Sequence, residues 1–273
     1  MHIRNKLAPA LLACLQLFRG IAGPPSGVRI PIFHHTPLIH LPLLEELTVR
    51  LRDNNVLASP ANIDSVRQRQ TTSYILSFDD GFASNFEAAK LLKNLGVSAI
   101  FFICPGIIDM RGAAQRKAMS KAFFGGCDAP DSCQLLNWNE IEKIRSMGHV
   151  IGAHGMNHVR LSTLTGQHLV DEIIGANHAL KMRLGDKADW YAFSYGDIKS
   201  ISRAALKCIR QTYRYCRSGV RGINDTAINP FALRGEEIQL DAPIAYQKLI
   251  LEGGLDVYYS LARKHLDAMV RSE

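Results

Sequence analysis

The chain has 273 residues, 47% apolar and 21% charged, an ordinary globular balance that excludes a disordered chain. Its 32 Lys and Arg against 25 Asp and Glu give +7, a mild basic bias well short of a nucleic-acid-binding arm. No apolar run approaches the ~20 residues that cross a bilayer, and no repeat of ~20–50 residues marks a solenoid or propeller.

The chain begins with basic residues, and Leu7 to Phe18 are mostly apolar. Pro9 and Gln16 interrupt that run and Arg19 closes it, so residues 1–25 read as an amphipathic helix. A weak secretory signal ending near Ala22-Gly23 is the alternative. Beyond it, strand and helix patterns alternate. Val28–Phe33 predicts a strand, Leu43–Arg52 a helix, Tyr74–Phe78 a strand and residues 85–95 a helix. Ser98–Ile103 is an apolar run and predicts a buried strand. Trp138–Met147 is a helix closed by Gly148, followed by a strand at Val150–Ala153 and a long helix at Gln167–Leu184. A strand at Trp190–Phe193, a helix at Ser202–Gln211 and strands at Arg214–Cys216 and Ala232–Leu233 follow. Ile244–Leu251 and Tyr258–Val270 are helical in pattern. Trp138 and Trp190 are read as core anchors.

Such alternation predicts a parallel sheet covered by helices. About seven units favour a closed or nearly closed barrel over an open doubly wound sheet. No Gly-x-Gly-x-x-Gly follows the first strand and no Walker loop occurs. Residues 105–136 are polar and Gly-containing, and read as an insertion or lid over one end of the sheet. No linker is evident, so residues 1–273 read as a single catalytic domain. The six cysteines form no Cys-x-x-Cys pair and read as scattered thiols, although Cys127 and Cys133 could close a small loop in an oxidising compartment. The basic run Arg203, Lys207, Arg210, Arg214, Arg217 and Arg221 reads as a solvated helix face running into a strand, with an anionic docking patch as the alternative.

Two stretches carry chemistry. In Ser77-Phe78-Asp79-Asp80-Gly81 a strand ends on two adjacent carboxylates and a turn-forming glycine. Active sites of parallel β/α proteins collect at this end of the strands. Two neighbouring aspartates are costly there unless a cation offsets them. A metal on one leaves the other as a free base. In His154-Gly155-Met156-Asn157-His158, just after the Val150–Ala153 strand, two imidazoles at i and i+4 can share one ion. Two histidines and one carboxylate make a three-ligand site, the open arrangement of catalytic zinc.

The first stretch resembles the Thr/Ser-Phe-Asp-Asp-Gly motif of the polysaccharide deacetylases (carbohydrate esterase family four). His154-Gly155-Met156-Asn157-His158-Val159-Arg160-Leu161 resembles that family's His-Ser/Thr-x-x-His-x-x-Leu. Gly96-Val97-Ser98-Ala99-Ile100-Phe101-Phe102, Gly148-His149-Val150-Ile151-Gly152 and Ile32-Phe33-His34-His35 are similar to further family segments, so the resemblance runs from about residue 28 to 238. It implies a distorted (β/α)₇ barrel. Asp80, His154 and His158 would hold the metal and Asp79 would be the base that takes a proton from the attacking water. Phe193-Ser194-Tyr195-Gly196 resembles the family's aromatic-Pro-aromatic-Gly turn, so the Tyr195 N–H would help hold the oxyanion. Ser194 stands where that motif has proline, and its usual opening arginine is missing. Phe231-Ala232-Leu233-Arg234 resembles a late Leu-Pro-Arg segment, which makes Arg234 the expected partner that orients Asp79 and keeps it ionised. No histidine lies between His178 and His265, so His34 or His35, or Asp79 acting twice, would protonate the leaving amine.

The resulting expectation is a hydrolase that removes an N-acetyl group from an amino sugar in a glycan or glycan precursor. It would use zinc, with cobalt or nickel equally compatible with the donors. An amino-sugar deformylase or small-amide amidohydrolase on the same site is the first alternative, and a non-catalytic carbohydrate-binding relative the second. The expected partner is an N-acetylated carbohydrate and not nucleic acid, with peripheral membrane or lipid-linked glycan contact as a further candidate. Cytoplasmic action, at the inner membrane face, is the expected location, and a secreted or periplasmic one the alternative.

Overall fold

A computed structural model of the chain describes residues 3–22 and 25–271. Seven short parallel strands form its centre: β1 (Pro31–Phe33), β2 (Ser77–Phe78), β3 (Ile100–Ile103), β4 (Val150–Ala153), β5 (Trp190–Ala192), β6 (Tyr215–Arg217) and β7 (Glu236–Glu237). Their spatial order is β6-β5-β4-β3-β2-β1-β7. The segment that carries β7 closes the ring: Leu233 pairs with Arg217 of β6, and Glu236 then pairs with Pro31 of β1. Gly27–Arg29 and Thr72–Tyr74 pair in register and extend β1 and β2 backwards. The molecule is therefore a distorted seven-stranded β/α barrel.

Alternation along each strand splits the apolar residues between two cores. Ile100 and Phe102 of β3 point inward, into a cluster with Ile30, Ile75, Trp190, Tyr215 and Leu233. Phe101 and Ile103 point outward, under the helices. In that outer layer Phe78 stacks between Phe33 at 5.2 Å and Phe101 at 4.8 Å. Burial on both faces is why these strands read as continuous apolar runs.

Besides a single helical turn at Ile63–Val66, the helices are α1 (Ile3–Ala22), α2 (Leu41–Asp53), α3 (Asn85–Asn94), α4 (Pro105–Asp109), α5 (Gly112–Phe123), α6 (Trp138–Ser146), α7 (Gly166–Leu184), α8 (Arg203–Arg210), α9 (Ile244–Leu251) and α10 (Ser260–Arg271). Local chemistry sets several ends. Asn137 and Glu140 form a reciprocal capping box at the start of α6, and Gly185, at φ 86°, closes α7. The N-terminal segment is helical and α1 packs on α9, with Ala8 and Leu12 buried. The Ala22-Gly23 junction read as a cleavage site lies outside the described residues. Among the described residues no helix is long and apolar enough to cross a membrane.

Residues 105–136, expected as an insertion or lid, contain α4 and α5, and the Ala, Gln, Lys and Met of α5 are strong helix formers. Two expectations change. The last strand does not sit at Ala232–Leu233. Asn229 caps a single 3₁₀ turn at Pro230–Ala232, and the strand begins only at Glu236. The basic run is not uniformly solvated. Arg217 and Arg221 are buried, and Arg221 pairs at 3.3 Å with Glu236, which also holds Arg29 at 2.5 Å.

Candidate metal centre and active site

The functional side chains stand at the C-terminal ends of four strands of the barrel, β2, β4, β5 and β6. Asp79 follows β2, and its N–H donates to the Phe33 carbonyl at 2.8 Å. His154 follows β4, and its N–H donates to the Ile103 carbonyl at 2.8 Å. Tyr195 lies just past β5, and Arg217 ends β6. Among the described residues four non-glycine residues have positive φ, and three of them are here: Asp80 (71°), His158 (55°) and Tyr195 (65°). Backbone in that region is costly and persists where the surroundings over-determine it.

The sheet brings Asp80, His154 and His158 together. One ligating atom from each lies within 4.8 Å of the others, and all three residues are buried. His154 Nε2 and His158 Nε2 are each 3.4 Å from Asp80 Oδ1. Zinc bonds of about 2.0–2.1 Å in a tetrahedron place neighbouring ligand atoms roughly 3.3–3.4 Å apart, so the spacing fits such an ion. The hydrogen bonding fits as well. His154 Nδ1 lies 2.8 Å from the Ala192 carbonyl, which directs the Nε2 lone pair into the site. Asp80 Oδ1 is buried and accepts no hydrogen bond, a state that a cation would relieve.

The electrostatics point the same way. Burial alone would raise the Asp80 pKa, yet the His154 ring facing it at 3.4 Å and the nearby His34 and His158 bring it down to about 2. Burial disfavours charge on His154, but Asp79 and Asp80 outweigh it and its pKa moves up. For His158, burial and then the charge of His154 bring the pKa down to about 4, leaving a neutral imidazole suited to ligation.

Asp79 has a different partner from the expected one. Arg217 Nη2 lies 2.6 and 2.5 Å from its two carboxylate oxygens, and the guanidinium rests on the Phe102 ring at 4.9 Å. Arg234 instead donates to both oxygens of Asp267 at 2.9 Å. Strand alternation explains the correction. Leu233 pairs with Arg217 and joins it on the inward face, so Arg234, one residue on, faces outward to α10. The sequence reading missed Arg217 because it was grouped with its exposed neighbours. The available signal was its position at the end of a predicted barrel strand.

Tyr195 lines the cavity. Its ring packs 4.7 Å from His158 on one side and 4.2 Å from the Arg160 guanidinium on the other. Its N–H makes no hydrogen bond among the described residues. Ser194, where the resembled motif has proline, donates to the His154 carbonyl at 3.1 Å. That bond supplies rigidity which a proline ring would otherwise give. His34 lines the cavity beside Asp80, and the half-buried His35 lines the adjoining one, with Nδ1 3.0 Å from Ser84 Oγ. The six cysteines are unpaired, Cys127 and Cys133 included.

The central cavity has a volume of about 260 Å³ and is roofed by Phe123 of α5. It adjoins a larger one of about 490 Å³, with which it shares His34, Asp80, Phe123 and Glu237. A third, of about 270 Å³, lies at the opposite end of the barrel around His149 and Trp190, away from the carboxylates.

Known proteins bear on this site. The polysaccharide deacetylase family model matches residues 67–213, more than half of the chain. That span includes Asp79, Asp80, His154, His158 and Tyr195. Among curated proteins no sequence matches. Solved structures share the fold. IcaB from Ammonifex degensii superposes with a TM-score of 0.67 at 17% identity, over 85% of this chain and 98% of that one. The Streptococcus pyogenes deacetylase PplD gives 0.63 at 15% identity, over 79% and 93%. The de-N-acetylase of Aggregatibacter actinomycetemcomitans gives 0.61 at 15% identity, over 82% and 99%. With a family match that spans the paired carboxylates and the His-x-x-x-His loop, on a barrel that brings them to one cavity, the chain belongs to the polysaccharide deacetylase family.

Proposed function

We propose that the protein is a metal-dependent hydrolase that removes the N-acetyl group from an amino sugar in a glycan or glycan precursor. Membership of the polysaccharide deacetylases makes it a hydrolase of non-peptide C–N bonds with an N-acetylated carbohydrate as substrate. One observation carries the mechanism. Asp80, His154 and His158 converge on a point beside Asp79, and Asp79 is held by Arg217 rather than joining them.

Asp80, His154 and His158 would hold a divalent ion. When bound, it supplies Lewis acidity toward the amide carbonyl and acidity to water. Arg217 fixes both oxygens of Asp79, so the carboxylate can accept a proton from the attacking water. The Tyr195 N–H is the donor assigned to the developing oxyanion. His34, on the wall of both cavities, is the group assigned to return a proton to the leaving amine; Asp79 acting a second time is the other route. We assign zinc as the native metal, with cobalt or nickel as substitutes, because two imidazoles and a carboxylate suit all three.

For place of action we propose the cytoplasmic face of a membrane and a lipid-linked glycan as substrate. The support is the row Leu7, Leu11 and Leu17 exposed along α1, with Lys6 beside it. The test of function is acetate release from N-acetylated amino-sugar oligomers with and without chelator. Loss with chelator and recovery with added zinc is the expected result; unchanged turnover contradicts the mechanism. Formate release from N-formyl sugars in preference to acetate would favour the deformylase alternative.

A further inference from the structure

The loop from His154 to His158 carries two of the three candidate ligands, and the two are held differently. His154 is fixed through its own ring by the Ala192 carbonyl, and its carbonyl accepts from Ser194 Oγ at 3.1 Å and Cys104 Sγ at 3.3 Å. His158 Nδ1 is buried and makes no hydrogen bond. Its ring packs against Phe123 at 4.9 Å and Tyr195 at 4.7 Å, with the Ala122 backbone close by. A metal-ligating histidine is ordinarily oriented by a partner on its other nitrogen. At His158 the nearby Ala122 backbone makes no well-formed hydrogen bond to Nδ1, so the backbone that carries the ring sets much of its orientation.

What fixes that backbone is Glu172, a buried residue in the first half of α7. Its Oε1 accepts the Asn157 N–H at 2.9 Å and its Oε2 accepts Asn157 Nδ2 at 3.2 Å. The Val159 N–H also points to this carboxylate. The Glu172 carbonyl takes the Met156 N–H at 3.0 Å. From the other side, the Gly106 N–H in α4 donates to the Met156 carbonyl at 2.9 Å. The residues on both sides of His158 are thereby tied to one carboxyl group.

Gly155 makes the approach feasible. It stands where the resembled family motif has Ser or Thr, and its φ is 79°. A Cβ there would overlap Glu172 Oε1 and lie 3.5 Å from the Tyr191 hydroxyl, itself buried without a partner. The side chain absent at 155 is replaced in space by the carboxylate from α7.

We propose that Glu172 is a positioning residue that sets His158 for metal ligation, working through the Asn157 and Val159 amides, with Gly155 as the residue that admits it. This rests on the reading of Asp80, His154 and His158 as a metal site. Removing groups that orient a ligand typically lowers metal affinity about 10–100-fold.

The experiment is a cobalt(II) titration of the full chain, followed by its visible absorption, together with amide hydrogen exchange of the metal-free protein. Glu172→Ala is expected to weaken cobalt binding at least about tenfold and to speed exchange at Asn157 and Val159. Glu172→Gln keeps one acceptor for Asn157 N and is expected to fall between the two. Glu172→Gln with Asn157→Asp reverses the polarity of the side-chain bond and is expected to recover affinity over Glu172→Gln alone. Should Glu172→Ala not fold, the Gln variant and the double variant decide. Cobalt affinity and loop exchange like those of the wild type in either single variant would overturn the proposal. A wild-type chain that binds no cobalt would contradict the metal reading instead, while the exchange data would still decide whether Glu172 holds the loop.

Discussion

Replacing Arg217 with Met removes the guanidinium that grips Asp79 at 2.6 and 2.5 Å while keeping most of the side-chain length. Both groups are buried, Arg217 at 2% exposure and Asp79 at 4%. The variant therefore leaves a carboxylate in a water-poor site without its counter-charge. Breaking a buried pair this way costs about 3–5 kcal/mol. At about 2–4 °C per kcal/mol, the range for chains of roughly 150–250 residues and close to that for these 273, Tm should fall roughly 6–20 °C. Catalysis should suffer separately, because a displaced base loses its alignment; a misplacement near 1 Å costs about 10²-fold. Arg217→Lys keeps the charge but not the fork, so it should recover more Tm than kcat. Arg234→Met is the matched control. It breaks a pair with Asp267, a partly exposed partner outside the barrel, and should lower Tm while leaving kcat within about twofold. The assays are thermal unfolding and acetate release under saturating zinc. Full kcat in Arg217→Met with a hundredfold loss in Arg234→Met would refute the assignment and restore Arg234 as the partner of Asp79.

Three further outcomes follow from the geometry. Asp79→Asn should bind metal as the wild type does yet lose about 10²–10⁴-fold in kcat, the range for a general base; a parallel loss of metal would show that Asp79 is a ligand. Gly152 sits where a Cβ would meet the Phe102 ring at 2.5 Å and the Trp190 carbonyl at 3.2 Å. Gly152→Ala should therefore cost about 1–3 kcal/mol by overpacking and lower kcat too, since Phe102 carries Arg217; an unchanged Tm would contradict that packing. Burial holds the His149 pKa below its ordinary 6.5; its Nδ1 accepts the Ala99 N–H at 3.2 Å and its Nε2 lies 2.9 Å from the Ala89 carbonyl. The unfolded chain thus takes up that proton first. The His149 contribution is fully present above pH ~6.5 and is lost as pH falls below it, with a slope of at most about 1.4 kcal/mol per pH unit. A His149→Gln variant whose stability falls with acid as steeply as the wild type's would contradict this.

How much of this was legible in the sequence depends on the reach of the interaction. The strands that end in Asp79 and His154 announced themselves, because both faces are buried and the apolar runs are continuous. The paired carboxylates and the His-x-x-x-His loop are local in sequence, and both lie at the end of a strand. Arg217 was hidden because its meaning lies 138 residues away, on Asp79. An arginine in a basic run and an arginine inside a barrel look alike until pleat and register are known. Arg234 misled for the same reason, one residue of alternation turning an inward side chain outward. Glu172 reads as a polar position on a helix, and only its contact with Asn157, 15 residues earlier, gives it a role. The helices of residues 105–136 were missed through emphasis on polarity over propensity.

The central claim is that one divalent ion binds among Asp80, His154 and His158 with Asp79 free beside it. Crystals of the purified protein, measured on both sides of the zinc absorption edge, test it most directly. A single anomalous peak within bonding distance of Asp80 Oδ1 and the two Nε2 atoms, and away from Asp79, is the predicted result. Absence of any peak there in protein that still releases acetate, or a peak bound to Asp79 as well, would contradict the account.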